Sequence, residues 1–85
     1  MACADVCELL REAIRDARAA GLGPAADELQ ERTSAAFTSS SEFLGEVGLA
    51  VERFLRRERG KVPADVERRL RMCLAEVRTV WPRLP

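Results

Sequence analysis

The chain of 85 residues carries 14 basic and 14 acidic side chains, a formal net charge of zero, and 47% of its residues are hydrophobic. This length predicts a single domain with a thin stability margin, because so short a chain buries only about 60–65% of the surface that it exposes when unfolded. The sequence contains no histidine and no tyrosine. Histidine is the commonest general acid or base near neutral pH and the commonest metal ligand, so we expect no enzyme and no metal or cofactor site.

The sequence also argues against a membrane-bound or exported protein. No apolar run approaches the roughly 18 residues of a transmembrane helix, and the stretch MACADVCELL lacks a basic segment followed by a long apolar block. The three cysteines are an odd number, without the spacing of a secreted disulfide framework. We therefore expect a cytoplasmic protein. Its 13 arginines and 13 alanines, against one lysine, indicate a GC-rich bacterial genome.

In the N-terminal half, apolar residues recur at three- and four-residue steps over two segments, which predicts two helices. The first spans about residues 5–20 and ends at Gly21, and the second spans about residues 24–37 and begins at Pro24, because proline suits the first turn of a helix. The apolar stripe expected on the first helix comprises Cys3, Val6, Cys7, Leu10, Ala13, Ile14 and Ala17. The inner edge expected on the second comprises Ala26, Leu29, Thr33, Ala36 and Phe37.

The C-terminal half predicts a third helix over about residues 41–59 and a fourth over about residues 63–81. Ser39 or Ser40 is suited to cap the third helix, with Glu42 in its first turn, and Gly60 follows it as a left-handed cap. The stripe expected on the third helix comprises Phe43, Leu44, Val47, Ala50, Val51, Phe54 and Leu55. The stripe expected on the fourth comprises Val62, Val66, Leu70, Cys73, Leu74, Val77, Val80 and Trp81.

Only a few residues connect these segments, and short connections favour antiparallel neighbours. No segment shows the alternation of a β-strand, and no internal repeat occurs. We therefore predict an all-α protein in which residues 1–85 form one helical domain, an antiparallel bundle of four helices. The sequence does not distinguish between the two handednesses of such a bundle.

The back of the third helix carries residues that its apolar stripe does not explain. Leu49 projects almost opposite that stripe, beside Gly45, and Met72 stands off the stripe of the fourth helix. Single exposed hydrophobic residues are common and need no function. Small residues on a back face also let another helix approach closely, which favours an accessory or interaction protein that binds a partner protein or forms a homodimer. The candidate interaction surface comprises Gly45, Leu49, Arg53, Arg56, Arg57 and Met72.

Charge is distributed unevenly along the chain. Residues 1–48 carry nine acidic and four basic side chains, whereas residues 49–85 carry five acidic and ten basic ones. Acidic helices beside basic ones, paired within the fold or across a dimer, account for this pattern. The alternative is a nucleic-acid-associated regulator, because arginine clusters make salt-sensitive contacts with phosphates. The residues of that alternative are Arg53, Arg56, Arg57, Arg68, Arg69 and Arg71.

The chain offers few groups for covalent or metal chemistry. We expect Cys3, Cys7 and Cys73 to behave as small buried hydrophobic residues, as free cysteine commonly does. They are too few for a metal site, and no neighbouring group is expected to lower a thiol pKa. Pairing of Cys3 or Cys7 with Cys73 stays open. Capping accounts for the serines of residues 39–41, although a phosphate bound at a helix start is the alternative.

A short helical hairpin leads here through a Thr/Ser-rich turn and Glu42 into the leucine-bearing third helix. In the segment AAGLGPAADELQERTSAAFTSSSEFLGEVGLAVERFL, this order resembles a group of small bacterial all-helical proteins of uncharacterised function. The matching residues are Ala25, Ala26, Leu29, Thr38, Ser41, Glu42 and Leu44. The resemblance implies a compact helical fold and no particular activity.

Overall fold

A computed structural model describes residues 3–83 of the chain, with their side chains from Asp5 onwards. Its four helices are α1 (Cys3–Ala19), α2 (Gly23–Thr33), α3 (Ser40–Arg57) and α4 (Ala64–Val80). Helix α1 packs against α2 and α4, and α3 packs against the same two helices. The helices therefore form a ring in which each contacts its two neighbours, and the predicted all-α bundle of four helices is confirmed.

The core of the bundle is aliphatic. In the described part of the chain no polar or charged side chain is buried. Small alanines on α1, α2 and α3 line parts of the core and let the helix backbones approach one another. The largest side chains that are fully buried are Leu70, Leu74, Val6, Val47, Val51, Val66, Val77 and Cys73.

Helix α3 has the predicted N-cap at Ser39, but it ends at Arg57, two residues before the predicted bound, with Glu58 rather than Gly60 as its C-cap. The Ser39 hydroxyl accepts a hydrogen bond from the Glu42 backbone N–H at 3.1 Å, which satisfies one of the free amides of the first turn. The Glu42 carboxylate accepts a hydrogen bond from the Thr38 hydroxyl at 2.7 Å. Gly60 has a φ of +82°, the left-handed conformation that glycine adopts without the strain of a side chain.

Helix α2 ends at Thr33 rather than near residue 37. The Thr33 hydroxyl donates to the Leu29 carbonyl at 2.9 Å, and the Ser34 hydroxyl donates to the Gln30 carbonyl at 2.6 Å. Such side-chain bonds compete with backbone hydrogen bonds and favour the end of a helix. The prediction that the inner edge of α2 continues to Ala36 is therefore wrong, because Ala36 lies exposed in the connection to α3.

Three residues assigned to apolar stripes are exposed instead. Cys7 lies about 100° round α1 from Val6, at the margin of the buried stripe, and is exposed. Val80 and Trp81 are 42% and 43% exposed because they lie at the last residue of α4 and just beyond it, where the core ends. The predicted position of Cys3 on the stripe lies outside the described side chains.

Gly60 and Gly23 allow the effect of backbone conformation on stability to be measured apart from the effect of side-chain packing. A Cβ at Gly60 or at Gly23 would meet no atom within 4 Å, but only Gly60 has a positive φ. We expect Gly60→Ala to lower the free energy of unfolding by about 1–2 kcal/mol. Gly23→Ala should raise it by about 0.4–1 kcal/mol, because alanine restricts the unfolded chain. Urea unfolding of the two variants measures both changes, and equal effects would contradict the left-handed conformation of Gly60.

Candidate interaction surface

The exposed hydrophobic residues are concentrated in one half of the molecule. Within residues 5–83, the large hydrophobic side chains that remain exposed are Leu49 at 50%, Met72 at 42%, Val80 at 42% and Trp81 at 43%. All four lie on α3, on α4 or directly after α4. The outer surface of the α3–α4 hairpin is therefore the candidate binding surface.

Trp81 and Gly45 lie in contact. The indole N–H of Trp81 donates to the Ser41 carbonyl at 2.7 Å, and a Cβ at Gly45 would lie 3.3 Å from the indole nitrogen. Leu49 follows Gly45 by one turn, and helical side chains lean towards the N-terminus of their helix, so Leu49 leans towards Gly45 and the indole. We call Gly45, Leu49 and Trp81 the Leu49–Trp81 patch.

Trp81 is the member of this patch that sequence reasoning missed. Its position at the end of an apolar stripe predicted a core residue, yet much of its ring faces solvent. Two signals favour the observed position. Gly45 lacks a side chain and so leaves room for an indole, and Pro82 disfavours helical conformation at Trp81, which lies just beyond the last residue of α4.

Met72 does not join the Leu49–Trp81 patch. It lies about 60° round α4 from Arg69, and Arg69 faces α1 because it bonds Asp16 at 2.5 Å. Arg78, which bonds Glu52 of α3 at 3.3 Å, points to the other side of α4. Met72 instead lines a shallow concavity with other α4 residues, such as Ala75 and Arg68. The candidate surface is therefore two separate apolar areas.

Arg53 and Arg57 of the candidate surface are both engaged by one carboxylate. Glu28 of α2 accepts hydrogen bonds from Arg53 at 2.7 Å and from Arg57 at 2.8 Å, and Arg32 lies 3.4 Å away. The hydrogen bond from Arg53, followed by that from Arg57, holds the pKa of Glu28 below its ordinary value against the opposing effect of burial. These two arginines therefore serve the contact between α2 and α3.

Other arginines are also paired within the fold. Arg69 joins α4 to α1 through Asp16 and through Glu12, at 3.4 Å. A hydrogen bond from Arg15 and a weaker effect of Arg69 lower the pKa of Asp16, while burial opposes them. The shortest approaches of Arg68 and Arg71 to a carboxylate are 3.8 Å to Asp65 and 2.8 Å to Glu67. Much of the uneven charge is thus matched inside the monomer.

A smaller set of basic side chains stays unpaired near the turn between α3 and α4. Arg56, Arg59 and Lys61 are exposed, and none of their side chains makes an ion pair or a hydrogen bond within residues 5–83. Arg56 and Arg59 line a concavity of about 400 Å³ that also includes Arg71 and Glu67. Of the three arginines of the candidate surface, Arg56 is therefore the one whose side chain is unpaired in the described residues.

The two cysteines whose side chains the structure describes, Cys7 and Cys73, are free thiols in different settings. Cys73 is buried, and burial raises the pKa of its thiol to about 12, with a further contribution from the nearby Cys7 thiol. A thiol with so high a pKa is a poor nucleophile. Cys7 lines an open cavity of about 420 Å³ with Leu10, Ile14 and Phe43. The predicted burial is therefore correct for Cys73 and wrong for Cys7, and pairing with Cys3 lies outside the described residues.

Comparisons of the chain with protein-family models, with curated proteins and with solved structures find no match. The resemblance to small bacterial helical proteins therefore stays a prediction. In residues 5–83, no group of three or more Cys, Asp and Glu side chains is placed to hold a metal ion. None of the helices that the structure describes is long and apolar enough to cross a bilayer.

The ion pairs of Glu28 make a pH-dependent prediction. Because its folded pKa is lowered, its contribution to stability is present above the ordinary value of 4.5 and is lost as the pH falls through the folded pKa. We expect Glu28→Gln to be less stable than the wild type at pH 7 and the difference to shrink below pH 4.5. Urea unfolding across this pH range measures the difference.

The matched control is Glu31→Gln, on the same helix. The Glu31 side chain is exposed and makes no ion pair in the described residues, so we expect little change at either pH. If the Glu28→Gln difference were the same at every pH, packing and not charge would account for it.

Proposed function

We propose that the protein is a small helical interaction module that self-associates through the Leu49–Trp81 patch. The observation that carries this proposal is the location of the exposed hydrophobic side chains. The four large hydrophobic side chains that are exposed in residues 5–83 all lie on or directly after the α3–α4 hairpin, and none of them lies on α1 or α2. Hydrophobic groups left in water on one side of a small protein favour a surface that another protein covers.

The composition of the patch supports protein binding over the alternative that Leu49 is exposed without a function. Tryptophan and arginine are enriched at the centres of protein interfaces, and Trp81 lies beside Gly45 with Arg56 further along α3. The indole already makes its hydrogen bond, to the Ser41 carbonyl. Covering its ring therefore leaves no polar group of the side chain unsatisfied.

The side chains with shifted pKa values favour binding over catalysis. The carboxyl groups whose pKa moves, Asp16 and Glu28, both move down and are held by arginines. A carboxyl group that acts as a general acid at neutral pH needs a raised pKa. We also propose a reducing, cytoplasmic setting, which agrees with the free thiols of Cys7 and Cys73.

Sedimentation equilibrium tests the proposed self-association. We expect the wild type to shift from monomer to dimer between about 1 μM and 1 mM. Leu49→Glu should remain a monomer, because it buries a charge at the centre of the contact. Met72→Glu is the matched control on the other apolar area and should still dimerise. A wild type that is monomeric throughout, or a dimer that Met72→Glu alone abolishes, would overturn the proposal for this patch.

A second candidate is association with nucleic acid through the unpaired basic residues at the α3–α4 turn. Arg56, Arg59 and Lys61 lack ion pairs in the described part of the chain, and the concavity beside them includes Arg71. Arg53, Arg57 and Arg69 support this function less, since each bonds a carboxylate of another helix. The candidate site is thus smaller than the arginine content indicates.

A titration of labelled single- and double-stranded DNA and RNA at two salt concentrations tests this candidate. If it is correct, binding weakens steeply as salt rises, and Arg56→Ala combined with Arg59→Ala weakens it further. Arg11→Ala, at an exposed arginine of α1 that pairs with Glu8, is the control. Absence of binding at the lower salt concentration would exclude the candidate.

A further inference from the structure

Five residues on the outside of α3 lie along one line of the helix, at the spacing of a heptad. Glu42, Leu49 and Arg56 succeed one another at seven-residue steps, and Gly45 and Glu52 lie between them. Residues at this spacing lie where a second helix can pack along the first at a shallow angle, although Leu49 is the one large apolar residue among the five. We call these five residues the outer seam. It faces away from the buried stripe of α3, and each of its residues is exposed or half-buried.

The charges at the two ends of the outer seam are opposite and equally far from its centre. Glu42 precedes Leu49 by seven residues and Arg56 follows it by seven, about 10 Å along the helix axis in each direction. If a second copy packs antiparallel with its Leu49 on the first, Arg56 of each copy meets Glu42 of the other. In a parallel pair, Glu42 would meet Glu42 and Arg56 would meet Arg56, which is unfavourable.

The flanks of the outer seam agree with the antiparallel arrangement. Arg53 and Glu46 lie on the side of α3 that faces α2, because Arg53 bonds Glu28 at 2.7 Å and Glu46 lies 4.0 Å from Arg32. A two-fold axis perpendicular to the helices keeps that side on the same flank in both copies. Arg53 of one copy therefore comes beside Glu46 of the other, and a second opposite-charge contact forms twice.

The opposite flank brings in the exposed aromatic ring. Glu52 lies on the side of α3 that faces α4, since it bonds Arg78 at 3.3 Å, and the Trp81 indole covers Gly45 on the same side. In the antiparallel arrangement, Gly45 of one copy lies beside Glu52 of the other. Each indole then lies against the Glu52–Arg78 ion pair of the second copy and loses contact with water.

From this charge pattern we infer that the partner of the outer seam is a second copy of this chain, bound antiparallel with its two-fold axis at Leu49. The inference rests on the proposed self-association and adds its orientation and register. The opposite-charge contacts are Glu42 with Arg56 and Glu46 with Arg53, each occurring twice. The apolar centre consists of the two copies of Leu49 flanked by the two copies of Trp81.

Charge reversal and its rescue test the register. Glu42→Arg and Arg56→Glu should each weaken the dimer by about tenfold, because each places like charges opposite one another twice. The double variant, Glu42→Arg with Arg56→Glu, restores opposite charges and should return to within about threefold of the wild type. Sedimentation equilibrium gives the dissociation constants, and the fluorescence of Trp81, the single tryptophan, reports burial of the indole in the dimer.

Two controls separate the register from general effects of charge and folding. Arg59→Glu reverses an unpaired arginine outside the outer seam and should leave the dimer within about threefold of the wild type. Glu42→Gln and Arg56→Gln remove a charge without reversing it and should weaken the dimer by about threefold each. They keep the test informative if a reversed charge at the start of α3 disturbs the helix, which circular dichroism detects.

The outcomes are distinguishable. A wild-type dimer that the single reversals leave unchanged, or that the double variant fails to restore, overturns the antiparallel register while self-association stands. A wild type that stays monomeric at about 1 mM overturns the proposed self-association and the register together.

Discussion

Each of the four helices can turn only one stripe towards the shared core, and this limit decides which side chains remain in water. On α3 the buried stripe includes Leu44, Val47, Val51 and Phe54, so Leu49, on the opposite side, stays half-exposed. The same limit keeps charged groups outside, since no polar side chain is buried in the described residues.

An aliphatic core does little to choose the order of the helices around it, because hydrophobic burial has no preferred direction. The ion pairs between helices do depend on which helices are neighbours. Glu28 of α2 holds two arginines of α3, and Arg69 of α4 reaches Asp16 of α1. Exposed pairs contribute little individually, but an arrangement that placed like charges together would be opposed. The same pairs engage three of the ten basic side chains of residues 49–85, and Arg56, Arg59 and Lys61 at the α3–α4 turn are not among them.

The sequence predicts the number of helices and most of the core because both depend on the spacing of apolar residues along one helix. The predictions fail where a neighbouring segment decides. Helix α2 ends at Thr33 because the hydroxyls of Thr33 and Ser34 bond carbonyls of the preceding turn, and periodicity does not register that competition. Trp81 is exposed because its place depends on Gly45, far away in the chain. Met72 is likewise separate from Leu49 because the packing of α4 against its neighbours decides which way Met72 faces.

Gly45 destabilises α3 as a helix but leaves room for the Trp81 indole on its surface. A glycine inside a helix costs about 1 kcal/mol relative to alanine, and α3 retains it at a site where a Cβ would lie 3.3 Å from the Trp81 nitrogen. The glycine therefore lets the indole lie against α3, and the indole in turn presents an apolar surface beside Leu49. A chain this short gains little further stability from its own core, whereas a partner that covers Leu49 and Trp81 stabilises the folded state by mass action. In the proposed pair, α3 would serve both folding and self-association, folding through its inner stripe and self-association through its outer seam.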